Sequence, residues 1–353
     1  MYLGGMVMKM TERECNLLSF QHQDTPWVPS WLTGHDTCFS TAIREGAQGY
    51  GVTTDWFGVK YLYREDQPGP MPVENEPRIT DIETWQEQVV MPDLDQCDWE
   101  EASARDTASW DRENKISNIV LVNGIFESLH MFCGFENALC NIMEDEEACS
   151  DFMGWMADYK IAVIERMAKY YKPDMIQFHD DYSDASGLFM PVDKWQRMIK
   201  PHLKRIVDTC HGLGIIYQHH SCGKIHDLIP ELVELGVDAL NPVQVSNDPL
   251  KVKQQYGDRL TVCGGFDNVN VLDNPSATVQ QMKDSINETL YTLAPGGKYN
   301  AFCYILDKFP ERYGIFLECL DEYNRPLMER AGVEFVPHVS TGENVYNLAE
   351  NAQ

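Results

Sequence analysis

Basic residues are scarce in this chain. Its 353 residues include 28 lysines and arginines against 55 aspartates and glutamates, a formal net charge of −27 with the histidines neutral. That balance excludes a lysine- and arginine-striped surface for nucleic acid and adsorption to anionic lipid. It also opposes a polyanionic ligand unless arginines are gathered into one pocket. Long apolar runs are missing too, for no stretch approaches the ~20 residues of a membrane span. The opening MYLGGMVMKM lacks the basic region, apolar core and small-residue cleavage site of a signal peptide, and translation could equally start at Met10. Eleven cysteines are present, but none form a CxxC pair and the number is odd. A reducing cytoplasm with buried or metal-binding thiols fits this better than a disulfide framework. No repeat, low-complexity tract or long linker appears, so residues 1–353 are expected to form a single catalytic domain.

What is present is an alternation of short β-rich segments with amphipathic helical stretches. The strand-like segments are Val28–Trp31, Asn118–Asn123, Met175–His179, Ile215–His220, Ala239–Pro242, Leu260–Gly264 and Tyr299–Cys303. Helices are expected over Ala148–Tyr171, over Pro191–His211, and along the apolar face Ile225, Leu228, Ile229 and Leu232, where Gly236 is the stop. Repeated βα units argue for a parallel sheet, and seven or eight of them for a closed (β/α)8 TIM barrel. Seven strands can be placed and the eighth cannot. An open doubly wound sheet is the alternative, but no Gly-x-Gly-x-x-Gly follows the first strand to support it. Residues from about 33 to 115 are aromatic and irregular, an N-terminal insertion or lid with a hairpin expected around Thr54–Tyr61. Residues 333–353 form a C-terminal tail without clear periodicity, expected to wrap the barrel or mediate contacts.

The densest chemistry is His220-Ser221-Cys222-Gly223, closing an apolar strand. Residues two apart on a strand share a face, so His220 and Cys222 would project together. An imidazole beside a thiolate is half of a zinc site and is ill suited to magnesium or calcium. The C-terminal tip of a strand is also where a barrel keeps its reactive groups. The alternative is a buried histidine next to a buried free cysteine. Asp180 and Asp181 end the third strand, so one of them should enter the same mouth as an acid or a support for zinc; the other reading is a helix cap. Glu127, just after the second strand, is a further candidate for protonating a leaving group or for a labile zinc ligand, against a surface glutamate. His219 should face away from His220, and His179 toward the helices. Trp31, Trp56, Phe57 and Tyr61 suggest an apolar pocket, which core packing would explain equally well.

The order Met10-Thr11-Glu12-Arg13-Glu14, Pro26-Trp27-Val28-Pro29, Thr54-Asp55-Trp56-Phe57-Gly58-Val59, Gly134-Phe135-Glu136-Asn137, His179-Asp180-Asp181, His220-Ser221-Cys222-Gly223 and Gly236-Val237-Asp238-Ala239-Leu240-Asn241-Pro242-Val243-Gln244 resembles the uroporphyrinogen decarboxylase superfamily. Within it the chain is similar to the zinc-dependent methyltransferases that work with corrinoid proteins. The resemblance runs from about Thr11 to Glu329. It implies a distorted TIM barrel, bound Zn2+, a partner protein carrying the corrinoid, and a small methylated substrate such as an aryl methyl ether, methylamine or methyl thiol. It implies a third zinc ligand at Cys303, after Gly296-Gly297-Lys298 and a strand; a core thiol is the other reading of that cysteine. It also implies pocket roles for Asn241 and Gln244 at the end of the fifth strand. Asp267, ending the sixth, is a further pocket candidate, and each of these could instead satisfy loop backbone. The decarboxylases of the superfamily use no metal and place arginines just after the first strand. Here that position reads Trp31-Leu32-Thr33-Gly34-His35-Asp36, without arginine, and buried substrate carboxylates would be left unpaired. The remaining alternatives are a metal-free decarboxylase of that type and a zinc-binding barrel without turnover.

Overall fold

The computed structural model describes residues 10–64, 69–306 and 308–339. Its strands are β1 (His35–Cys38), β2 (Gly51–Thr54), β3 (Lys60–Tyr63), β4 (Met71–Pro72), β5 (Ile116–Leu121), β6 (Met175–His179), β7 (Ile216–His220), β8 (Ala239–Val243), β9 (Thr261–Gly264) and β10 (Tyr299–Asn300). The chain divides into two compact units: one contains the residues up to Asp36, Asp111–Ser117 and those from Asp238, the other Thr37–Trp110 and Asn118–Val237. Among the described residues, no helix is long and apolar enough to cross a membrane.

In the Thr37–Val237 unit, β5 pairs with β6 and β6 with β7, all parallel. All six residues of β5 are buried, as a parallel sheet covered by helices demands, and the buried residues of the three strands include the polar Asn118, Gln177 and Gln218. The helix Glu146–Tyr170 lays Phe152, Met153, Met156, Val163, Ile164 and Met167 into the core and packs on the helices Ile125–Cys133 and Lys200–Gly212. The expected helix over Pro191–His211 is two helices, Val192–Met198 and Lys200–Gly212. Pro201 causes the break, because it supplies no N–H to the preceding turn and suits a helix start. The insertion contains the expected hairpin: β2 and β3 are antiparallel with Thr54 opposite Lys60, and β4 adds a third strand. Phe57 at its tip sits among the rings of Phe132, Trp155 and Tyr159, at 5.3, 5.9 and 5.1 Å.

In the other unit β8, β9 and β10 are parallel in chain order, and the helices Val279–Leu293 and Arg312–Ala331 pack on each other. Two sequence expectations need correction here. Val28–Trp31 is not a ladder strand: Trp31–Gly34 is a helical turn, and the first strand is His35–Cys38. Pro29 has no N–H to give a ladder. Its carbonyl accepts from Ala301 N at 2.9 Å, while the Ser30 hydroxyl, not the backbone, donates to Ala301 O at 2.7 Å. Likewise β10 stops at Asn300 instead of Cys303, because Phe302 N turns back to Asn300 O at 2.8 Å. The described part of the tail is tied down by His338, whose amide donates to the Asp321 carboxylate at 2.7 Å; residues 340–353 lie outside the described residues.

Parallel strands that follow chain order, joined by helices, make this an α/β protein of the distorted TIM-barrel class, with seven parallel strands among the described residues. The turn leaving β7 carries Cys222 and is held by its glycine. Gly223 has φ +85°, and a Cβ there would lie 2.7 Å from the Ser183 carbonyl oxygen and collide with the Ser183 hydroxyl. Gly223→Ala is therefore expected to destabilise the protein by about 2 kcal/mol or more. Denaturant unfolding checks this, and unchanged stability would show that the turn relaxes freely.

Candidate metal centre

The centre grows from the register of two adjacent strands. His179 of β6 is paired with His220 of β7, so both side chains leave the sheet on the same face. Their rings stack at 3.8 Å with 3° between planes. This corrects the expectation that His179 faces the helices. Two residues on, past the strand end, Cys222 Sγ lies 3.5 Å from His220 Nε2. The Cys222 amide donates to Asp181 Oδ1 at 2.6 Å, which brings a carboxylate to the same point. The ligand atoms of Asp181, His220 and Cys222 all lie within 4.8 Å of one another. Tetrahedral zinc with ordinary Zn–N and Zn–S bonds would hold nitrogen and sulfur about 3.6 Å apart, so the donors fit that ion in type and spacing.

The surrounding charges are of one sign. Burial, followed by Asp181 and Glu127, pushes the Cys222 thiol well above its usual range. Burial, then Asp181 and Asp180, pushes the Glu127 carboxyl strongly up. Among the described residues no lysine or arginine pairs with Asp180, Asp181 or Glu127. Burial holds His220 below its ordinary range, opposed by Asp181; a neutral imidazole is the ligating form. A divalent cation here would reverse the sign of the field on the thiol and the acids.

Asp180 and Asp181 differ sharply. Asp180 is fully buried, and its oxygens accept from Glu127 N at 2.9 Å, Phe126 N at 3.1 Å and the Tyr182 hydroxyl at 2.9 Å. It thus caps the helix Ile125–Cys133 from a neighbouring strand, satisfying amides at the positive end of the helix. Burial raises its pKa to about 7 against those donors. Gly124 permits the approach, for a Cβ there would collide with the Asp180 side chain. Glu127, on the first turn of that helix, accepts from Gly124 N at 3.1 Å. The structure therefore brings Glu127, Asp180, Asp181, His220 and Cys222 together within one unit.

Beside this cluster lies a cavity of about 620 Å³, whose lining includes Glu127, His179, Phe39, Tyr61, Val122 and Met131. The Gln177 side-chain amide donates to His179 Nε2 at 2.8 Å, and this imidazole, stacked on His220, is part of the cavity wall. On the other face of β7, His219 is buried against the Tyr182 ring at 5.5 Å and bonded to the Tyr217 hydroxyl at 3.1 Å.

The other sequence candidates belong to the other unit, the one that contains Asp238 onward. Cys303 is buried, and burial followed by Asp273 raises its pKa well above the thiol range. Trp31 is buried against Phe302 at 5.3 Å. Asn241 is buried within β8, and Gln244 is partly exposed just after it. Asp267 accepts from the Asn270 amide at 3.0 Å, capping the turn Asn268–Leu272.

Sequence reasoning missed two participants. His179 was readable from its position, since two neighbouring parallel strands each ending in histidine align those residues. The signal for Lys160, not used in the sequence reading, is its place among Met156, Val163 and Ile164 on the buried face of one helix. Its ammonium is fully buried and bonds Glu45 Oε1 at 2.6 Å and Val122 O at 2.9 Å.

A parallel α/β barrel fold with a histidine–cysteine–carboxylate cluster at the C-terminal ends of adjacent strands places the protein among barrels that carry their chemistry at that face. The sequence pattern of the family described as Uroporphyrinogen decarboxylase (URO-D) matches residues 52–299, and the chain belongs to that family. Its fold is similar to that of a methyltransferase from Methanosarcina mazei, with a TM-score of 0.68 over 89% of this chain and 99% of that one, at 14% identity. Among curated proteins none matches the chain.

The buried histidine behind the centre gives a pH prediction. Burial and His220 lower the His219 pKa to about 3, below its unfolded value of ~6.5. The stability it contributes is present above pH 6.5 and is lost as the pH falls toward the folded value. Moving from pH 7 to 5 should cost about 2 kcal/mol through this residue. Unfolding free energies at the two pH values, compared between the parent and His219→Phe, measure it. An identical pH dependence in both would assign the loss to other groups.

Proposed function

We propose that this protein is a zinc-dependent methyltransferase that moves a methyl group between a small methylated compound and a corrinoid carried by a partner protein. The observation that carries the reading is the convergence of His220, Cys222 and Asp181 beside a cavity, in a URO-D family member whose fold is shared with a methyltransferase. Residues 1–353 would act as one catalytic domain in the cytoplasm. The methyl donor would be an aryl methyl ether, a methylamine or a methyl thiol.

His220 and Cys222 would hold Zn2+, with Asp181 as a further or exchangeable ligand and Cys303 as the ligand that the family resemblance adds. When bound, the ion supplies Lewis acidity to the oxygen, nitrogen or sulfur that bears the methyl group. The chain's own residues do the rest. Glu127, a buried acid in the cavity wall, would give a proton to the departing heteroatom. Asp180 positions it by binding the Glu127 amide. His179 and the apolar side chains around it exclude water from the substrate. Trp31, Asn241, Gln244 and Asp267 are proposed as substrate contacts on the same reading.

Two outcomes follow. Elemental analysis of the purified protein should give about one zinc per chain, falling steeply in Cys222→Ala; full zinc in a Cys222→Ala/Cys303→Ala double variant overturns the ligand set. Single-turnover methylation of a reduced corrinoid protein should slow by at least ~100-fold in Glu127→Gln with zinc retained. Asp181→Asn should lose both zinc and transfer, whereas Asp180→Asn should chiefly lower stability. Parent-rate transfer by Glu127→Gln removes it from the acid role, and turnover of uroporphyrinogen by zinc-free protein would replace the reading with a decarboxylase.

A further inference from the structure

The wall of the cavity beside the metal centre includes the segment Thr41–Glu45, and that segment has space on both sides. Thr41, Arg44 and Arg105 line the 620 Å³ cavity that reaches Glu127 and His179, and they also line a second cavity of about 510 Å³. Thr41–Glu45 is thus a partition. A partition with a void behind it yields easily unless its ends are held.

Both ends are held by buried polar groups. At the start, the Ser40 hydroxyl meets the Tyr171 hydroxyl at 2.8 Å, and Thr41 N and Oγ1 donate to the Asp106 carboxylate at 2.8 and 2.7 Å. At the far end, Gly46 N donates to Asp55 at 3.3 Å, and Glu45 is bound by the Lys160 ammonium. Between the ends, Arg44 O accepts from Trp56 N at 3.1 Å. Lys160 has a second grip, on the carbonyl of Val122. Glu45 and Val122 are both lining residues of the first cavity, so one ammonium ties two of its walls together. A lone buried ammonium would be costly, and here both of its bonds are charge-assisted and short.

We propose that Lys160 is a specificity-determining positioning residue: by bonding Glu45 and Val122 at once it sets the width of the reaction cavity and stops the Thr41–Glu45 partition from giving way into the second cavity. The size limit on the methyl-bearing substrate follows from that clasp. This deepens the methyltransferase reading and rests on it for the substrate, while the clasp itself can be tested without any turnover.

The experiment uses the full-length zinc-loaded protein. In Lys160→Met, amide hydrogen exchange of residues 42–46 should quicken by at least about tenfold, with the amides of β6 and β7 and the zinc content unchanged. KM for methoxybenzene should rise by about tenfold with kcat within twofold, and the preference for methoxybenzene over 2-methoxynaphthalene should shrink. Glu45→Gln, which keeps a hydrogen-bond acceptor but leaves the ammonium without its counter-charge, should quicken exchange at residues 42–46 less than Lys160→Met does. If Lys160→Met does not accumulate as folded protein, Glu45→Ala is read the same way. Parent-like exchange at residues 42–46, or quickening spread evenly over the chain, overturns the proposal. If the parent itself transfers no methyl group, the methyltransferase reading fails and the exchange result alone decides for or against the clasp.

Discussion

Everything at the centre depends on the pairing of β6 with β7. Because His179 lies opposite His220, the segment after β6 runs beside the segment after β7, and Asp181 arrives at the Cys222 amide. A slip of β7 by one residue would send His220 to the helix side and carry His219 into the cavity face. The apolar alternation of the strands opposes that slip: Phe178, Tyr217 and His219 form a packed aromatic layer on the other face. Core packing on one side of the sheet thereby sets ligand geometry on the other.

Electrostatics then give the two consecutive aspartates separate work. Asp180 lies at the amino end of a helix, where backbone amides and a tyrosine hydroxyl satisfy it. Asp181 accepts from the Cys222 amide and lies beside the His220 and Cys222 ligand atoms. Identical side chains one residue apart point in opposite directions from an extended backbone, and their environments do the remaining sorting. Glu127 is tied to both, its amide held by Asp180 and its carboxyl pushed up by burial and then by Asp181 and Asp180. The three acids surround the candidate cation site.

Much of this was legible in the residues. The strand–helix alternation, Gly236 as a helix stop and the spacing of His220 and Cys222 are local facts, and local periodicity reads them. What was hidden involved pairs distant in sequence. That Val28–Trp31 would not join a ladder follows from Pro29, but that Ser30 would bond Ala301 instead does not. The orientation of His179 required the strand register, and the division of labour between Asp180 and Asp181 required the helix that begins at Ile125. Lys160 was one polar residue on an apolar helix face; its partner Glu45 lies in an irregular segment with no periodicity to interpret.

The first unit is assembled from both ends of the chain. Ser19 bonds Tyr299, Ser30 bonds Ala301, and Val28 and Asn324 exchange backbone-to-side-chain bonds at 2.9 and 2.8 Å. During synthesis the helix Glu12–Phe20 is made long before its partners, for Ser19 and Tyr299 are 280 residues apart. Thr37–Val237, by contrast, is almost continuous in sequence and gathers its own partners as it leaves the ribosome. Trp27 and Trp31 stay unburied until residues 301–324 have been made. That interval is the time for which apolar surface of this unit lies open to a chaperone or to another chain.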